Sequence, residues 1–327
     1  MLTVYDSADG ALTRRNNATA ISPATIWIDL LNPTKDENRF VEEALAIFLP
    51  TREEMAEIEV SSRLYQEAGA HYMTAVLMHQ YDWLVDPSTP TPITFILAGY
   101  RLVTVRYAEP RAFQIFLNRA QKKDASCVSG AAVLVALLEA IIDREADRVE
   151  RIQGEVDKLS QTIFANTQGQ RIGGAQFDLN IRTIGREGEL TSRSRETLLT
   201  LDRLLTYLAQ AMSERERGDD KALRARVKTA GRDVASLADH IGYLSTKITF
   251  LLDATLGMIN NEQNSIIKIF SVLAVALMPP TLVGTVYGMN FKHIPELEWF
   301  FGYPFALALM VISAVLPWLY FKRKGWL

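Results

Sequence analysis

The sequence predicts an α+β protein in which an N-terminal cytoplasmic αβα domain is followed by a long stalk helix, continuous with the first of two C-terminal transmembrane helices. Three observations lead to this prediction. Short β-rich runs alternate with helical patterns before residue 124, and a helical period dominates from residue 128 onward. Two charge-free stretches of about 20 residues then lie near the C-terminus, each long enough to cross a bilayer.

The first domain, residues 1–124, carries the strand signals. Runs rich in β-branched and apolar residues at 26–30, 72–79, 93–97 and 102–107 predict strands, and the last two flank Gly99, which predicts a hairpin. Helical patterns cover 34–48 and 52–60, and Thr51 precedes Glu54 with the spacing of a capping box. We therefore expect a compact sheet covered by helices.

Residues 125–265 are predicted to form a helical stalk region, with turns near 169–174 and 218–220. Its last helix has an apolar seam that alternates intervals of three and four residues: Val234, Leu237, Ile241, Leu244, Ile248 and Leu251. No proline occurs between Lys221 and Pro279, so stalk and first span are predicted to form one rod, on the order of 100 Å long. The alternative is an ordinary bundle with a break near Asn260.

The charge-free stretches place the membrane segments. We assign residues 266–290 to a first transmembrane helix, 291–299 to a periplasmic loop, 300–321 to a second helix and 322–327 to a basic cytoplasmic tail. The tail is basic and the loop contains Glu296 and Glu298, so the positive-inside rule predicts both termini in the cytoplasm and the chain in the inner membrane. The alternative is a pair of buried core helices.

Composition and motifs exclude several functions. The net charge of −3 provides no strongly basic face for nucleic acid, and the single Cys127 is typical of a reducing compartment. The four histidines lack metal-ligand spacing, and no phosphate-binding glycine loop or nucleophile motif occurs. We therefore expect neither an enzyme nor an organic cofactor.

A second stripe, of polar and small residues, follows the long helix out of phase with the apolar seam. Its members are Asp253, Gly257, Asn260, Asn264, Ile267, Ser271, Ala274, Met278, Thr281 and Thr285. Inside a membrane such a stripe can be a helix-packing surface. Because it also extends below the predicted membrane, to Asn264 and Asp253, a central water-filled pathway explains its residues better.

The sequence Gly288-Met289-Asn290, at the outer end of the first span, resembles the signature of the CorA family of divalent-cation channels. The similarity extends over the whole chain, through Trp27-Ile28-Asp29-Leu30, Glu262-Gln263-Asn264, Met278-Pro279-Pro280-Thr281, Ile294-Pro295-Glu296-Leu297 and the final Trp326-Leu327. The resemblance implies a homopentamer in the lipid bilayer that conducts Mg2+, with Co2+ and Ni2+ as alternatives. One residue departs from the pattern, since Thr285 stands where some members have glycine.

The chemistry of Asn290 suits a magnesium filter. Mg2+ gives up its waters reluctantly, so a ring of neutral amide oxygens that accepts hydrogen bonds from those waters can select the hydrated ion. Gly288 leaves room for backbone carbonyls at the mouth. Glu296 and Glu298 in the loop are expected to concentrate cations, unless they belong to a merely solvated turn.

Below the filter the same stripe supplies candidate pore residues. Thr281 and Ser271 offer hydroxyl groups, whereas Met278 and Ile267 can form apolar constrictions that gate by dewetting. Phe270 lies one residue off the stripe, and a methionine at helical spacing can equally be packing. The resemblance implies that Asn264 forms a polar ring near the cytoplasmic mouth and Asp253 an acidic ring beneath it.

The resemblance also implies regulation by Mg2+ bound between the cytoplasmic domains of neighbouring subunits. Asp82 after the second long strand and Asp233 on the stalk match the regulatory carboxylates, with Asp239 as a fallback. Two facing carboxylates repel unless a cation lies between them, so metal loss is expected to separate the subunits. Each of these residues can also be an ordinary solvated acid.

Two rival interpretations remain at this point. A ZntB-like zinc transporter of the same superfamily keeps Gly-Met-Asn but typically follows it with a glycine-rich loop, whereas this chain has Phe291-Lys292-His293. His293 beside the mouth is nevertheless a possible zinc ligand. The other rival is a membrane-anchored coiled-coil scaffold without a pore.

Overall fold

The fold is α+β, as predicted, and consists of a mixed-sheet N-terminal domain, a long helix and a final helix. The computed structural model describes residues 1–16, 20–79, 90–122, 126–165, 174–213, 220–290 and 299–326. The chain divides into two compact units. The first contains Met1–Ile172 and Asp178–Leu251, and the second contains Gly173–Phe177 and Leu252–Leu327.

The sheet of the first unit has seven strands in the order β2-β1-β3-β7-β6-β5-β4. They are β1 Leu2–Ala8, β2 Ala11–Asn16, β3 Thr25–Leu31, β4 Leu64–Glu67, β5 Ala70–Met78, β6 Pro90–Ala98 and β7 Arg101–Arg106. Only β3 and β7 pair in parallel, and the other neighbours are antiparallel. The four predicted strands are confirmed as β3, β5, β6 and β7, and the β6–β7 hairpin turns at Gly99, as expected.

Eight helices occur in the described ranges. They are α1 Lys35–Leu45, α2 Arg52–Met55, α3 Val60–Arg63, α4 Arg111–Ala120, α5 Gly130–Ala165, α6 Gly174–Ser213, α7 Asp220–Tyr287 and α8 Gly302–Arg323. The capping box of Thr51 and Glu54 is confirmed, but the helix predicted for 52–60 ends at Met55. Beyond Met55 the only large apolar residue before Val60 is Ile58, which is 84% exposed. A continued helix would therefore have had no apolar side to bury.

Helices cover both faces of the sheet because alternate residues of β5 meet different helices. Tyr72 donates a hydrogen bond to the Phe48 carbonyl and belongs to the core cluster that includes Val41 of α1. On the other face, His71 contacts the hydroxyl of Tyr207 in α6. Thr200 of α6 also accepts a hydrogen bond from the backbone amide of Val76. β5 is buried along its whole length, including the polar residues His71 and Thr74, as expected for a strand covered on both faces.

A buried ion pair joins the two parallel strands. Asp29 of β3 accepts hydrogen bonds from Arg106 Nε at 2.9 Å and Nη2 at 2.7 Å, and from the Thr104 hydroxyl at 2.7 Å. Burial alone would lower the pKa of Arg106, but the hydrogen bonds and charge of Asp29 raise it overall. The guanidinium also lies 4.6 Å from the ring centroid of Phe113 in α4, so the pair connects the sheet to a covering helix.

We expect the Asp29→Ala substitution to lower the free energy of unfolding by about 3–5 kcal/mol, because it leaves the Arg106 charge buried without its partner. The midpoint of thermal unfolding of the full chain in detergent measures the effect. Asp147→Ala is the matched control, since that carboxylate pairs with Arg144 on the surface of α5 and is 63% exposed. We expect Asp147→Ala to lower the free energy of unfolding by about 0.5 kcal/mol or less. Equal shifts of the unfolding midpoint in the two variants would contradict the assigned role of the buried pair.

The predicted seam of α7 is the side that packs in the first unit. Val234, Ile241, Leu244, Ile248 and Leu251 are buried. Polar contacts to α5 run along the same stretch, from Arg226 with Glu139, through His240 with Gln153, to Lys247 with Asp157. The seam and these contacts hold the lower part of α7 against its neighbours.

α7 is a single helix of 68 residues that continues through Pro279 and Pro280, so the alternative with a break near Asn260 is wrong. Two helices are long and apolar enough to cross a membrane, the C-terminal part of α7 and all of α8. Only 6% of the most apolar window of each is buried within the chain, which contradicts the alternative of two buried core helices. Their apolar side chains face outward and need an apolar environment or another chain.

Candidate functional site

The polar stripe of α7 is uncovered in the second unit. All of its members from Asp253 to Thr285 are exposed, including Met278 at 70% and Ile267 at 61%. The neighbouring residue Val272 is buried to 3% exposure, so the helix is not uniformly open. A Cβ at Gly284 would lie 3.5 Å from Met310 Cε of α8, and Gly284 is one residue, about 100°, from Thr285. α8 therefore contacts α7 beside the stripe and leaves the stripe free.

The two threonines of the stripe have a defined hydrogen-bonding state. The Thr281 hydroxyl donates to the Leu277 carbonyl at 2.8 Å, and the Thr285 hydroxyl donates to the Thr281 carbonyl at 2.8 Å. Each hydroxyl has one donor and two acceptor sites. Because the donor is already used within the helix, both oxygens present lone pairs outward, which suits the hydrogens of cation-bound water.

Apolar and polar positions alternate along the stripe. Met278 and Ile267 are separated by eleven residues, or about 16 Å along the axis, and Ser271 lies between them. Phe270 is also 67% exposed, although it lies one residue off the stripe. Below these residues Asn264 and Asp253 are exposed polar positions. The order of side chains is thus acidic, amide, apolar, hydroxyl, apolar and hydroxyl from the stalk upward.

The Gly288-Met289-Asn290 segment directly follows the last residue of α7, Tyr287. The Gly288 amide donates to the Gly284 carbonyl at 3.0 Å, and the Met289 amide donates to the Val286 carbonyl at 3.3 Å. A Cβ at Gly288 would stand 3.0 Å from the Gly284 oxygen, so a larger residue would crowd this turn. Asn290 is exposed just beyond the carbonyl-rich, negative end of a helix, an environment that favours a cation.

Several predicted site residues lie outside the described ranges. Glu296 and Glu298 fall in residues 291–298, and Asp82 falls in residues 80–89. Their roles in cation attraction and regulation stay predictions. Within the described ranges, no three His, Cys, Asp or Glu side chains come together as a metal site.

Asp233 is exposed on α7 and lines a cavity of about 530 Å³ between α4, α5 and α7. The same cavity is lined by Asp143 and by Glu139, whose carboxylate accepts hydrogen bonds from Arg226 Nε at 2.8 Å and Nη2 at 2.6 Å. These hydrogen bonds raise the pKa of Arg226. This pair has no signal in the sequence, because its members are 87 residues apart and belong to no local pattern. Asp239, the fallback ligand, is likewise exposed.

Comparison with known proteins gives both a sequence likeness and a fold likeness. A family model described as "CorA-like Mg2+ transporter protein" matches residues 22–323. A protein of Yersinia pseudotuberculosis named "Magnesium transport protein CorA" is 35% identical over 305 residues, which cover 93% of this chain and 92% of the relative.

The fold is similar to the complete structure of the CorA magnesium transporter from Methanocaldococcus jannaschii, with a TM-score of 0.72, 18% identity and coverage of 100% of this chain and 99% of that one. It is also similar to the ZntB cytoplasmic domain from Vibrio parahaemolyticus, with a TM-score of 0.58, 12% identity and coverage of 80% of this chain and 98% of that one. At these identities the two structures show a shared fold and do not distinguish the transported ion.

Proposed function

Because the chain belongs to the CorA-like Mg2+ transporter family, and is thus a Mg2+ transporter and no enzyme, we propose that several copies, five by family resemblance, surround one pore lined by the α7 stripe. The observation that carries this proposal is the uncovered stripe, which runs from Asp253 to Thr285 and leads directly into Asn290. Within the part of the chain that the structure describes, nothing covers it. In the homo-oligomer the stripes face one another across water.

In this arrangement Asn290 selects the hydrated ion at the outer mouth. The amide oxygens accept hydrogen bonds from first-shell waters, so the ion enters without losing them. Thr285 and Thr281 continue the same chemistry, since their free lone pairs also face the lumen. Met278 and Ile267 provide apolar rings that close the pathway when they dewet. An inside-negative potential supplies about 4.6 kcal/mol per 100 mV for a divalent ion, so permeation needs no other energy source.

The proposed orientation places both termini in the cytoplasm and the chain in the inner membrane. Lys322 and Arg323 end α8 and Lys324 is its C-cap, and these three cations support a cytoplasmic C-terminus. Two spans then return the N-terminal domain to the same side. The loop sequence that contains Glu296 and Glu298 is predicted on the opposite side, from which Mg2+ enters.

The test is uptake into proteoliposomes that contain the purified full chain and an entrapped Mg2+ or Zn2+ indicator. We expect Mg2+ uptake that rises with an inside-negative potential, and much slower uptake of Zn2+ at the same concentration. Faster Zn2+ uptake would favour the ZntB-like alternative, which the shared fold leaves open. No uptake of either ion above that of protein-free vesicles would favour a scaffold and contradict the pore.

A further inference from the structure

The C-terminal end of α8 is a folded motif and not a loose tail. Gly325 has a left-handed φ of 70°, its amide donates to the Lys322 carbonyl, and the Trp326 amide donates to the Phe321 carbonyl. These two bonds define a Schellman cap, in which a residue with positive φ ends the helix. The cap folds Trp326 back onto Phe321, and the rings stack with centroids 5.1 Å apart. The last turn therefore has a fixed shape.

Three consecutive cations lie on this capped turn, and aromatic rings contact two of them. Lys322 Nζ is 5.0 Å from the ring centroid of Trp318, and Lys324 Nζ is 5.4 Å from that of Tyr320. Arg323 is exposed between them. Tryptophan and tyrosine prefer the headgroup level of a bilayer. The ring contacts thus keep both ammonium groups at that level, whereas free lysines would extend into water.

A fourth cation, Lys268 of α7, lies at a similar depth. As two consecutive spans, α7 and α8 cross the membrane in opposite directions, and they meet where a Cβ at Gly284 would contact Met310. From this contact Lys268 is sixteen residues away, or about 24 Å, and Lys322 is twelve residues away, or about 18 Å. The sequences 263–290 and 299–326 contain no Asp or Glu, and the nearest acid on α7 is Glu262. The cytoplasmic rim of each subunit therefore carries four cations within about 10 Å of depth.

We propose that the capped turn of α8, together with Lys268, binds the phosphate of an anionic glycerophospholipid in the cytoplasmic leaflet. Charge complementarity is the first reason, because basic groups next to a span attract anionic lipids. The second is geometry, since the cations are preorganised around an interfacial aromatic platform. A soluble anion would gain nothing from Trp318, Tyr320 and Trp326, whereas a lipid places its phosphate and its acyl chains at these levels together.

The experiment measures which lipids stay on the purified full chain during detergent washing from an equal mixture of phosphatidylglycerol and phosphatidylcholine, with quantification by mass spectrometry. We expect enrichment of phosphatidylglycerol on the wild type. Each basic residue near a membrane surface favours anionic lipid about five-fold, so the triple variant K322Q/R323Q/K324Q should lower the preference roughly hundred-fold. Lipid retention is the readout, so the result is independent of the proposed pore.

Matched variants distinguish lipid binding at this site from a general effect of positive charge on the protein. Arg195, Lys221 and Lys228 are exposed cations outside the predicted spans, and their triple replacement by Gln should leave the enrichment unchanged. Lys322→Arg with Lys324→Arg should retain it. The Trp326→Ala variant keeps every cation but loses the stacked ring, and we expect a several-fold lower preference. Unchanged enrichment in K322Q/R323Q/K324Q would overturn the proposal, as would displacement of the lipid by soluble glycerol phosphate at millimolar concentration.

Discussion

Replacement of Asn290 by alanine is expected to reduce Mg2+ uptake by ten-fold to a hundred-fold. Hydrogen bonds to charged groups contribute about 1.5–3 kcal/mol each. If the ion loses this much stabilisation at the mouth, the barrier rises by a similar amount, and about 1.4 kcal/mol corresponds to a factor of ten in rate. Proteoliposome uptake at a fixed inside-negative potential measures the change.

The matched control is Asn261→Ala. Asn261 is exposed on the same helix but lies one residue, about 100°, from the stripe position Asn260. We expect its uptake to equal that of the wild type. Both variants should keep the wild-type elution volume on size exclusion, which shows that assembly is intact. Wild-type uptake by a correctly assembled Asn290→Ala protein would contradict the proposed role of Asn290 as the filter.

A second variant tests whether the filter requires the amide of Asn290 to be uncharged. Asn290→Asp keeps an acceptor oxygen but introduces a negative charge in each subunit. A charged ring is expected to hold Mg2+ more tightly, so the concentration for half-maximal uptake should fall while the maximal rate also falls. An unchanged concentration dependence would argue that Asn290 does not face the ion.

The long helix shows why part of this architecture follows from sequence. The seam from Val234 to Leu251 repeats at helical spacing, and each of its buried members can be found from that spacing alone. The continuation into the membrane follows equally, because no proline occurs between Lys221 and Pro279. Residue spacing is a local property of the sequence, and it is sufficient to predict both the helix and its buried side over most of α7.

The first hairpin was missed although its signal is present. β1 and β2 are joined by Asp9 and Gly10, with φ of 50° and 78°, so that Ala8 pairs with Ala11. Asp-Gly between two β-rich runs is the sequence typical of a tight two-residue turn with two positive φ values. The strands β1 and β2 contain several polar side chains. Their apolar pattern is therefore too weak to predict strands from the sequence.

Other features have no local signal at all. The Asp29–Arg106 pair joins residues 77 positions apart, and Glu139 meets Arg226 only because α5 packs beside α7. The Schellman cap lies between these cases. The Gly325 that follows a basic last turn is a recognisable helix end, but the stacking of Trp326 on Phe321 emerges only in three dimensions.

Loss of the Asp233 carboxylate is expected to make the transporter much less sensitive to inhibition by cytoplasmic Mg2+. In the proposed regulation Mg2+ joins Asp233 of one subunit to Asp82 of the next, and without the metal the two carboxylates repel. A charge about 4 Å from a cation contributes on the order of 1–4 kcal/mol per unit charge between water and the protein surface. Removal of one ligand should therefore raise the half-inhibiting Mg2+ concentration about ten-fold or more.

Currents from membrane patches, recorded with graded Mg2+ on the cytoplasmic side, measure this concentration. The test variant is Asp233→Ala, and Asp202→Ala is the control, because Asp202 is an exposed acid on α6 with no proposed role. Asp239→Ala is the third arm. If Asp239→Ala abolishes inhibition and Asp233→Ala does not, the ligand is the fallback residue six positions further along α7.

The surroundings of Asp233 supply the remaining check. Asp233 lines the cavity that also contains the Glu139–Arg226 pair, so its loss removes a negative charge next to a contact between α5 and α7. If that loss acted by loosening the contact, Glu139→Gln should relieve inhibition as strongly as Asp233→Ala. We expect Glu139→Gln to retain inhibition, because Glu139 is held by its own guanidinium partner and the proposed metal bridge does not use it. Inhibition that survives in Asp233→Ala but fails in Glu139→Gln would place the control of the pore in helix packing and refute the bridging metal.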